Sequence, residues 1–462
     1  MSLPKDPKDH PFLVPEISLH ISRFVRVEDA IICAQVCKDW IDPFTTIVWS
    51  TVNFSVHKQF VNLDPATVKK HAHRILEIKD IAKVHELVVL HSSKFRRLQR
   101  LGISMQPTPR FQAYLLDFLL QNTANLTQMK LWADETAMWF NATFFPIQAL
   151  CPSFGGQASL KLRLLTIHNV ALTRDAFSFT LRMCPALETL EILHSVIFCT
   201  LCTEPYRHEG ITHLRTSLPQ LFAPDQDPSG ELIRPSLLAH FPGLQTLKIL
   251  GALQSPIPNI QTMKEDFAQH CPLLKNVRIK SETEIAGTLF KETFQSLTNI
   301  SVFSLSEDII VGILAHQDTL LTLDTSAQYP DYCEQDTVPQ LPESSSVPIW
   351  KVLLIPQVCS RLKIINLPET EIDMDAIEKR PWLCTDLRIL NIRIRGLDTK
   401  EKIIQALGLW TTIRKRSKNS DLQSSSSSGN FEVDIQANEN SIESRVARHL
   451  LRFEKLYKVE YA

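Results

Sequence analysis

The chain has 462 residues, room for about three ordinary domains or one extended repeat array, and its 49 Lys plus Arg against 50 Asp plus Glu give a formal net charge of -1. No global field therefore steers it towards nucleic acid or an acidic membrane. Glycine numbers only 12, well below the usual ~7%, and no Gly-x-Gly-x-x-Gly, Walker-type loop or Gly-x-Ser-x-Gly occurs, which argues against a nucleotide-binding enzyme and for a packed interaction protein.

Residues 1–10 form a polar tail with Lys5, Asp6, Lys8 and Asp9, without the charged-then-apolar order of a secretory signal. No apolar run approaches the ~18 residues that span a bilayer. Ten cysteines spread along such a chain read as reduced thiols packed as small hydrophobes. The expected compartment is cytoplasm, nucleus or both, with no membrane and no nucleic acid as partner.

Residues 11–50 have a helical texture. Ile17, Ile21 and Phe24 fall on one stripe at i, i+4, i+7, with Pro15 and Glu16 at its start, where a missing N–H and a carboxylate are tolerated or favoured. A second stretch from Glu28 and Asp29 carries Ile32, Val36 and Trp40 at i, i+4, i+8, with Cys33 and Cys37 beside the stripe and Pro43 closing it. So small a unit buries too little to stand alone, and its apolar stripe predicts a hydrophobic docking face.

Residues 51–93 read as a helical connector and the start of an array, which then runs over 94–414. Its signature is an apolar residue, two others, an apolar residue, one other and an apolar residue, as in Leu98, Leu101, Ile103 or Leu187, Leu190, Ile192. It returns at Leu126, Leu162, Leu244, Leu274, Ile300, Leu362 and Leu387, and in degraded form at Leu320, Leu323, Thr325. Copies that begin 25 to 30 residues apart fit one strand plus one helix per leucine-rich unit. Phe177, Leu181 and Cys184, or Met263, Phe267 and Cys271, mark the helices. Cys184-Pro, Phe241-Pro and Cys271-Pro stop them. Insertions are expected near 132–160, 193–235 and 326–348. The Ser-rich stretch 415–443, with Ser424 to Ser428 in a row, predicts a disordered loop, and 444–462 a capping unit.

The N-terminal unit resembles an F-box. That family's pattern runs Leu-Pro-x-Glu, an apolar residue five further on, Asp-Leu, Val-Cys-x-x-Trp and a closing apolar-Trp pair. Leu13, Glu16, Ile21, Asp29, Val36, Cys37, Trp40 and Val48-Trp49 fall at matching positions; Val14 stands where proline is usual, with Pro15 one place later, and Ala30 replaces a leucine. The repeats resemble the leucine-rich arrays often found behind F-boxes.

The resemblance implies an α/β fold: a three-helix F-box followed by an irregular leucine-rich-repeat solenoid, a curved parallel sheet with helices on its convex side. It also implies a substrate receptor of an SCF ubiquitin ligase complex, acting in ubiquitin-dependent protein degradation. Leu13, Pro15, Glu16, Ile17, Ile21, Val36, Cys37, Trp40 and Trp49 would meet the Skp-family adaptor, and through it a cullin, while the repeats hold a protein substrate. The alternative is a repeat scaffold outside the ubiquitin system, with its N-terminal helices serving only as a cap.

Nothing marks an enzyme: no triad, paired carboxylate or nucleophile motif occurs, and no cofactor is expected. Cys199, Cys202, His208 and His213 are zinc-type ligands, but five residues between Cys202 and His208 are fewer than the ~12 of a standard finger, so a metal-free insertion is expected. His71, His73 and His85, near Lys69, Lys70 and Arg74, read as a solvated face. Lys94, Arg96, Arg97 and Arg100 form one basic cluster; Arg414, Lys415, Arg416 and Lys418 form another, a nuclear-import signal or a charged hinge. Substrate contacts are expected from variable positions of the repeat, namely Thr189, Glu191, Thr246, Lys248, Asn276, Arg278, Arg388 and Asn391.

Overall fold

The computed structural model describes residues 15–22, 24–56, 64–106, 108–133, 160–198, 206–217, 221, 237–250, 260–279, 284–325, 347–420, 441–453 and 455–460. Leu13, the tail 1–10, Cys199, Cys202 and the serine run lie outside them, as do most of the three expected insertions. The chain divides into two compact units, the first reaching Arg215 and the second built mainly of residues from Ser236 onward.

The first unit opens with three helices, Pro15–Ser22, Val27–Val36 and Lys38–Ser50. Cys37 is extended (φ -153°, ψ 163°) and ends the second helix one residue after Val36. Trp40 therefore lies on the third helix rather than on a stripe with Ile32 and Val36. Pro43 is buried inside that third helix instead of closing the second. A proline five residues past the start removes a single ladder N–H, and the helix runs on through it.

Among the described residues, the sheet of this unit has β1 (Thr51–Asn53), β2 (Glu77–Ile81), β3 (Arg100–Met105), β4 (Gln128–Ala133), β5 (Leu164–His168), β7 (Thr189–Leu193) and β9 (His213–Thr216), all parallel and in chain order. A side pair, β6 (Ala171–Thr173) with β8 (Val196–Phe198), follows two of them. Each of these excursions begins at a left-handed residue, Asn169 (φ 55°) and His194 (φ 49°), 25 positions apart.

The second unit repeats the plan with β10 (Thr246–Ile249), β11 (Asn276–Ile279), β12 (Asn299–Val302), β13 (Thr322–Asp324), β14 (Ile364–Ile372), β15 (Ile389–Ile394) and β16 (Lys458–Glu460). Right-handed crossovers between strands in unbroken order place the connecting helices on one face of each sheet, and the alternate residues Leu190, Ile192, Leu247 and Ile249 are buried against them.

Two hydrogen-bond devices recur and hold the repeat in register. The Leu that opens several of the motifs closes a turn onto the last core residue of the preceding segment: Leu98 N–H to the Phe95 carbonyl (3.2 Å), Leu187 to Cys184 (3.0 Å), Leu274 to Cys271 (3.2 Å), Leu387 to Cys384 (3.3 Å). The carbonyl just before each strand then accepts two N–H groups from the next repeat. Gln99 accepts from Thr127 and Gln128 (2.9 and 3.0 Å), Arg163 from Glu188 and Thr189 (3.0 and 2.9 Å), and Lys363 from Arg388 and Ile389 (2.7 and 3.1 Å).

At the turn position the cysteines Cys184, Cys271, Cys359 and Cys384 are buried, and burial pushes each thiol up to about 12. They are packing groups with negligible thiolate at neutral pH.

Capping follows the expected chemistry. Thr108, Thr173, Ser306 and Ser441 accept the N–H of Phe111, Ala176, Ile309 and Ser444 at 3.2–3.4 Å, each satisfying one orphan donor of a helix start. The buried Asn122 does the equivalent between repeats: its Oδ1 accepts the Phe95 N–H (2.7 Å) while its Nδ2 donates to the Phe118 carbonyl (2.8 Å). Asn122→Leu leaves a buried N–H unpaired and is expected to destabilise by about 2 kcal/mol, measured as a lowered urea midpoint of the full chain.

The span 51–93 contributes β1 and β2 as the start of the array, and other boundaries differ from expectation. Residues 415–420 continue the helix Lys400–Ser420, and Ile442 already belongs to the last helix, Ile442–Leu450. The span 193–235 contains β9, whose Leu214 is buried like its counterparts. Across the chain, no helix among the described residues is long and apolar enough to cross a membrane.

Candidate interaction surfaces

Two kinds of surface are built by these elements: the outer side of the N-terminal helices and the helix-free face of each sheet. On the helices, Glu16 and Ile17 are exposed and Ile21, Cys37 and Trp40 are half-buried. Ile32 and Val36, four residues apart and so on one side of their helix, are each 63% exposed, and Phe24 is 78% exposed. Leu19 and Ile41 add further exposed apolar area. Ala30, Pro43 and Phe44 face inward.

Trp49 does not belong to that outer surface. It is buried and stacks on His71, ring centroids 4.5 Å apart and planes 10° apart. His71 is thus not part of a solvated face, and burial, then the Arg74 charge, holds its imidazole below the usual value. Arg74 donates to the Asp42 carbonyl (3.0 Å) and the Thr46 hydroxyl (2.8 Å) and pairs with the Asp42 carboxylate. Stack and fork fasten the third helix to the array.

On the open face of the first unit, Thr189 stands in register between Leu164 and His213, and Glu191 between Thr166 and Arg215. Glu191 accepts from Thr166 Oγ1 (3.1 Å) and pairs with Arg215 (3.4 Å). Sequence reasoning missed its neighbours Lys130, Trp132 and His168: the rule of variable positions, applied to the Leu126 copy, picks out Lys130, whereas Trp132 and His168 each stand one residue past the last apolar position of the Leu126 and Leu162 copies. Lys130 Nζ lies 5.2 Å from the Trp132 ring centroid. Burial lowers its pKa, opposed by Asp80 and Glu191. His168 is pushed down to about 4, by burial first and then by His194, Lys130 and Arg215.

On the open face of the second unit, Asn276 donates to Thr246 Oγ1 (3.0 Å) and accepts from Asn299. Asn391 donates to Asn366 Oδ1, and Asn366 to Asp324 Oδ1, both at 2.8 Å. Lys248 and Arg278 sit on the same face, in register with each other. Arg388 does not: Ile389 holds the register position, and Arg388 precedes the strand, where its carbonyl accepts from Tyr457 and Lys458 (3.1 and 3.3 Å).

The remaining candidates disperse. His208 is buried with Nε2 2.9 Å from the Cys184 carbonyl, while His213 is exposed with Nδ1 2.8 Å from the Thr212 hydroxyl. Among the described residues no group of three or more His, Cys, Asp or Glu is placed to hold a metal ion. Arg100 pairs with Glu77 (3.0 Å). Arg414 lies 5.3 Å from the Trp410 ring and donates to the Leu456 carbonyl, so one member of the second basic cluster is a structural tie.

No family model matches the chain, and no curated protein matches it. Among solved structures it is similar to the crystal structure of the mouse RP105/MD-1 complex, at 12% identity and a TM-score of 0.26, over 55% of this chain and 46% of that one. The chain thus spans less than half the length of that structural neighbour.

Proposed function

We propose that this chain is a non-catalytic substrate-recognition adaptor of an SCF-type ubiquitin ligase. Its helices Pro15–Ser22, Val27–Val36 and Lys38–Ser50 dock on a Skp-family adaptor, which joins it to a cullin, and the open sheet faces hold a protein substrate. Ubiquitin transfer is left to the other subunits. The observation that supports this reading is the exposed apolar surface of the helices: Ile32 and Val36 on one side of the second helix, with Phe24 and Ile41 beside them in sequence, stand in water although inward positions such as Ala30 and Phe44 are filled. Clustered exposed apolar side chains mark association surfaces, and burying two of them at the centre of an interface contributes several kcal/mol.

Binding of the purified full chain to a recombinant Skp-family adaptor tests the proposal. Ile32→Asp with Val36→Asp is expected to weaken binding at least about tenfold without changing the unfolding midpoint, because both side chains are already exposed. A folded wild-type chain that does not bind the adaptor overturns the reading. The scaffold alternative then takes its place, favoured by the Trp49–His71 stack and the Arg74 fork, which suit a helical cap fixed to the array.

A further inference from the structure

One register row on the open face of the second unit runs Lys248, Arg278, Ser301, Asp324, Asn366, Asn391 across successive strands. Its two halves differ. From Asp324 onward the side chains are joined to one another, Asn366 donating to Asp324 and Asn391 to Asn366. From Lys248 to Ser301 they are joined to nothing among the described residues: Arg278 Nε and Ser301 Oγ are both shielded from solvent and without a hydrogen-bond partner, and Lys248 has no ion pair. Shielded polar atoms left unpaired disfavour the folded chain, and a guanidinium offers its Nε and a neighbouring N–H as a fork that matches two oxygens of one planar anion. Two cations and a hydroxyl on neighbouring strands, roughly 4.8 Å apart, form an anion-receiving face whose cations pair with no carboxylate among the described residues.

We propose that Lys248, Arg278 and Ser301 receive an acidic segment of a partner protein, one bearing neighbouring Asp or Glu side chains. Arg278 and Ser301 are half-buried, and a turn of the Arg278 side chain and of the Ser301 hydroxyl, shielded in the free chain, lets them take one carboxylate while the exposed Lys248 takes the next. Singly charged groups fit better than a doubly charged phosphoryl because Asp324 stands beside Ser301 in the row, and its fixed negative charge opposes a dianion there more than a carboxylate. This deepens the substrate-binding part of the function proposed above. It rests on the repeats holding a protein and not on the helices docking an adaptor, so its failure and the failure of adaptor binding are separate results.

The test uses the immobilised full chain and three synthetic peptide libraries with degenerate flanks, whose two central positions are fixed as Glu-Glu, Gln-Gln or phosphoserine-Gly. The Glu-Glu library is expected to be retained at least about fivefold over Gln-Gln, with the excess lost between 50 and 500 mM salt as charges are screened. Lys248→Gln with Arg278→Gln should reduce retention to the Gln-Gln level at an unfolding midpoint no lower than that of the wild-type chain. The control Lys264→Gln with Lys291→Gln removes the same charge elsewhere and should leave retention intact. The proposal is overturned by equal retention of Glu-Glu and Gln-Gln, by preference for phosphoserine over Glu-Glu, or by an equal loss in the control. The salt series on the wild-type chain decides the matter if the double variant does not fold.

Discussion

Gly312→Ala is expected to destabilise the second unit by about 3 kcal/mol, seen as a lowered calorimetric midpoint of the full chain. Gly312 lies on the helix Glu307–Leu314 and Gly287 on the helix Glu284–Thr288, where the two backbones touch. A Cβ on Gly312 would come 2.5 Å from the Gly287 carbonyl oxygen and 2.8 Å from Phe290 Cβ, and one on Gly287 would come 2.3 Å from the Asp308 carbonyl carbon. Both obstacles are the backbone or its first side-chain carbon, so no rotamer change relieves them and the helices must move apart. Gly408→Ala is the control, since a Cβ there meets nothing within 4 Å. In a helix, that change should be neutral or stabilising by about 0.5–1 kcal/mol. Equal effects of the two substitutions would remove the close-approach argument.

The repeat was legible because its core is written in leucine at fixed spacing, and because a turn between Cys184 and Leu187 needs only proline and one further residue. It was illegible where the backbone changes the spacing. In the copy that contains β2 the apolar residues are Ile75, just before the strand, Ile78 and Ile81, one residue longer than the pattern, because Asp80 takes a left-handed conformation (φ 60°) and inserts a bulge between Ile78 and Ile81. Ile81 then meets Ile103 and the core is preserved, but the count is hidden. Thr325 degrades another copy without hiding it: it is buried, and its hydroxyl donates to the Asn366 carbonyl (3.3 Å), so a polar residue fills an apolar position with its hydrogen bond satisfied.

Candidate sites were legible only in part, for a related reason. Spacing says which residues leave the core, so Thr189, Glu191, Thr246, Lys248, Asn276, Arg278 and Asn391 were placed on the open faces. Arg388 was misplaced by one register position. Spacing does not say which of these are already satisfied by a neighbour 22 to 30 residues away. Glu191 and Arg278 look alike as charged variable positions, yet one is held by Arg215 and Thr166 and the other by nothing among the described residues. On the helices, the break at Cys37 moved Trp40 off the stripe predicted for Ile32 and Val36. The residue that ties the third helix to the array, Arg74, carries no motif at all.

Stability is expected to fall as the pH drops from about 6.5 towards 4, with His449 a main contributor. Its ring packs against Trp382 (centroids 4.9 Å) and Phe453 (5.2 Å), and Nε2 is buried without a partner. Burial, then the Arg452 charge, pushes its pKa down to about 4; the opposing pull of Glu378 is the smallest cause. Glu378 is engaged elsewhere. Arg445 bonds it at 2.7 Å and also pairs with Asp375, holding both carboxyls below the usual range, so this pair stays intact while His449 resists protonation. Between about 4 and 6.5 the unfolded chain holds the proton and the folded chain does not. Folding therefore loses stability as pH falls through that window, by about 2 kcal/mol at pH 5 for this one group, and none above about 7.5. His316 acts in the same direction: burial lowers its pKa against the opposing pull of the Phe290 carbonyl 2.8 Å from its Nε2, while its Nδ1 accepts from the Leu297 N–H. Urea midpoints at pH 5.0 and 7.5 should differ clearly in the wild-type chain and much less in His449→Leu. An unchanged difference in that variant would show that the acid sensitivity originates elsewhere in the chain.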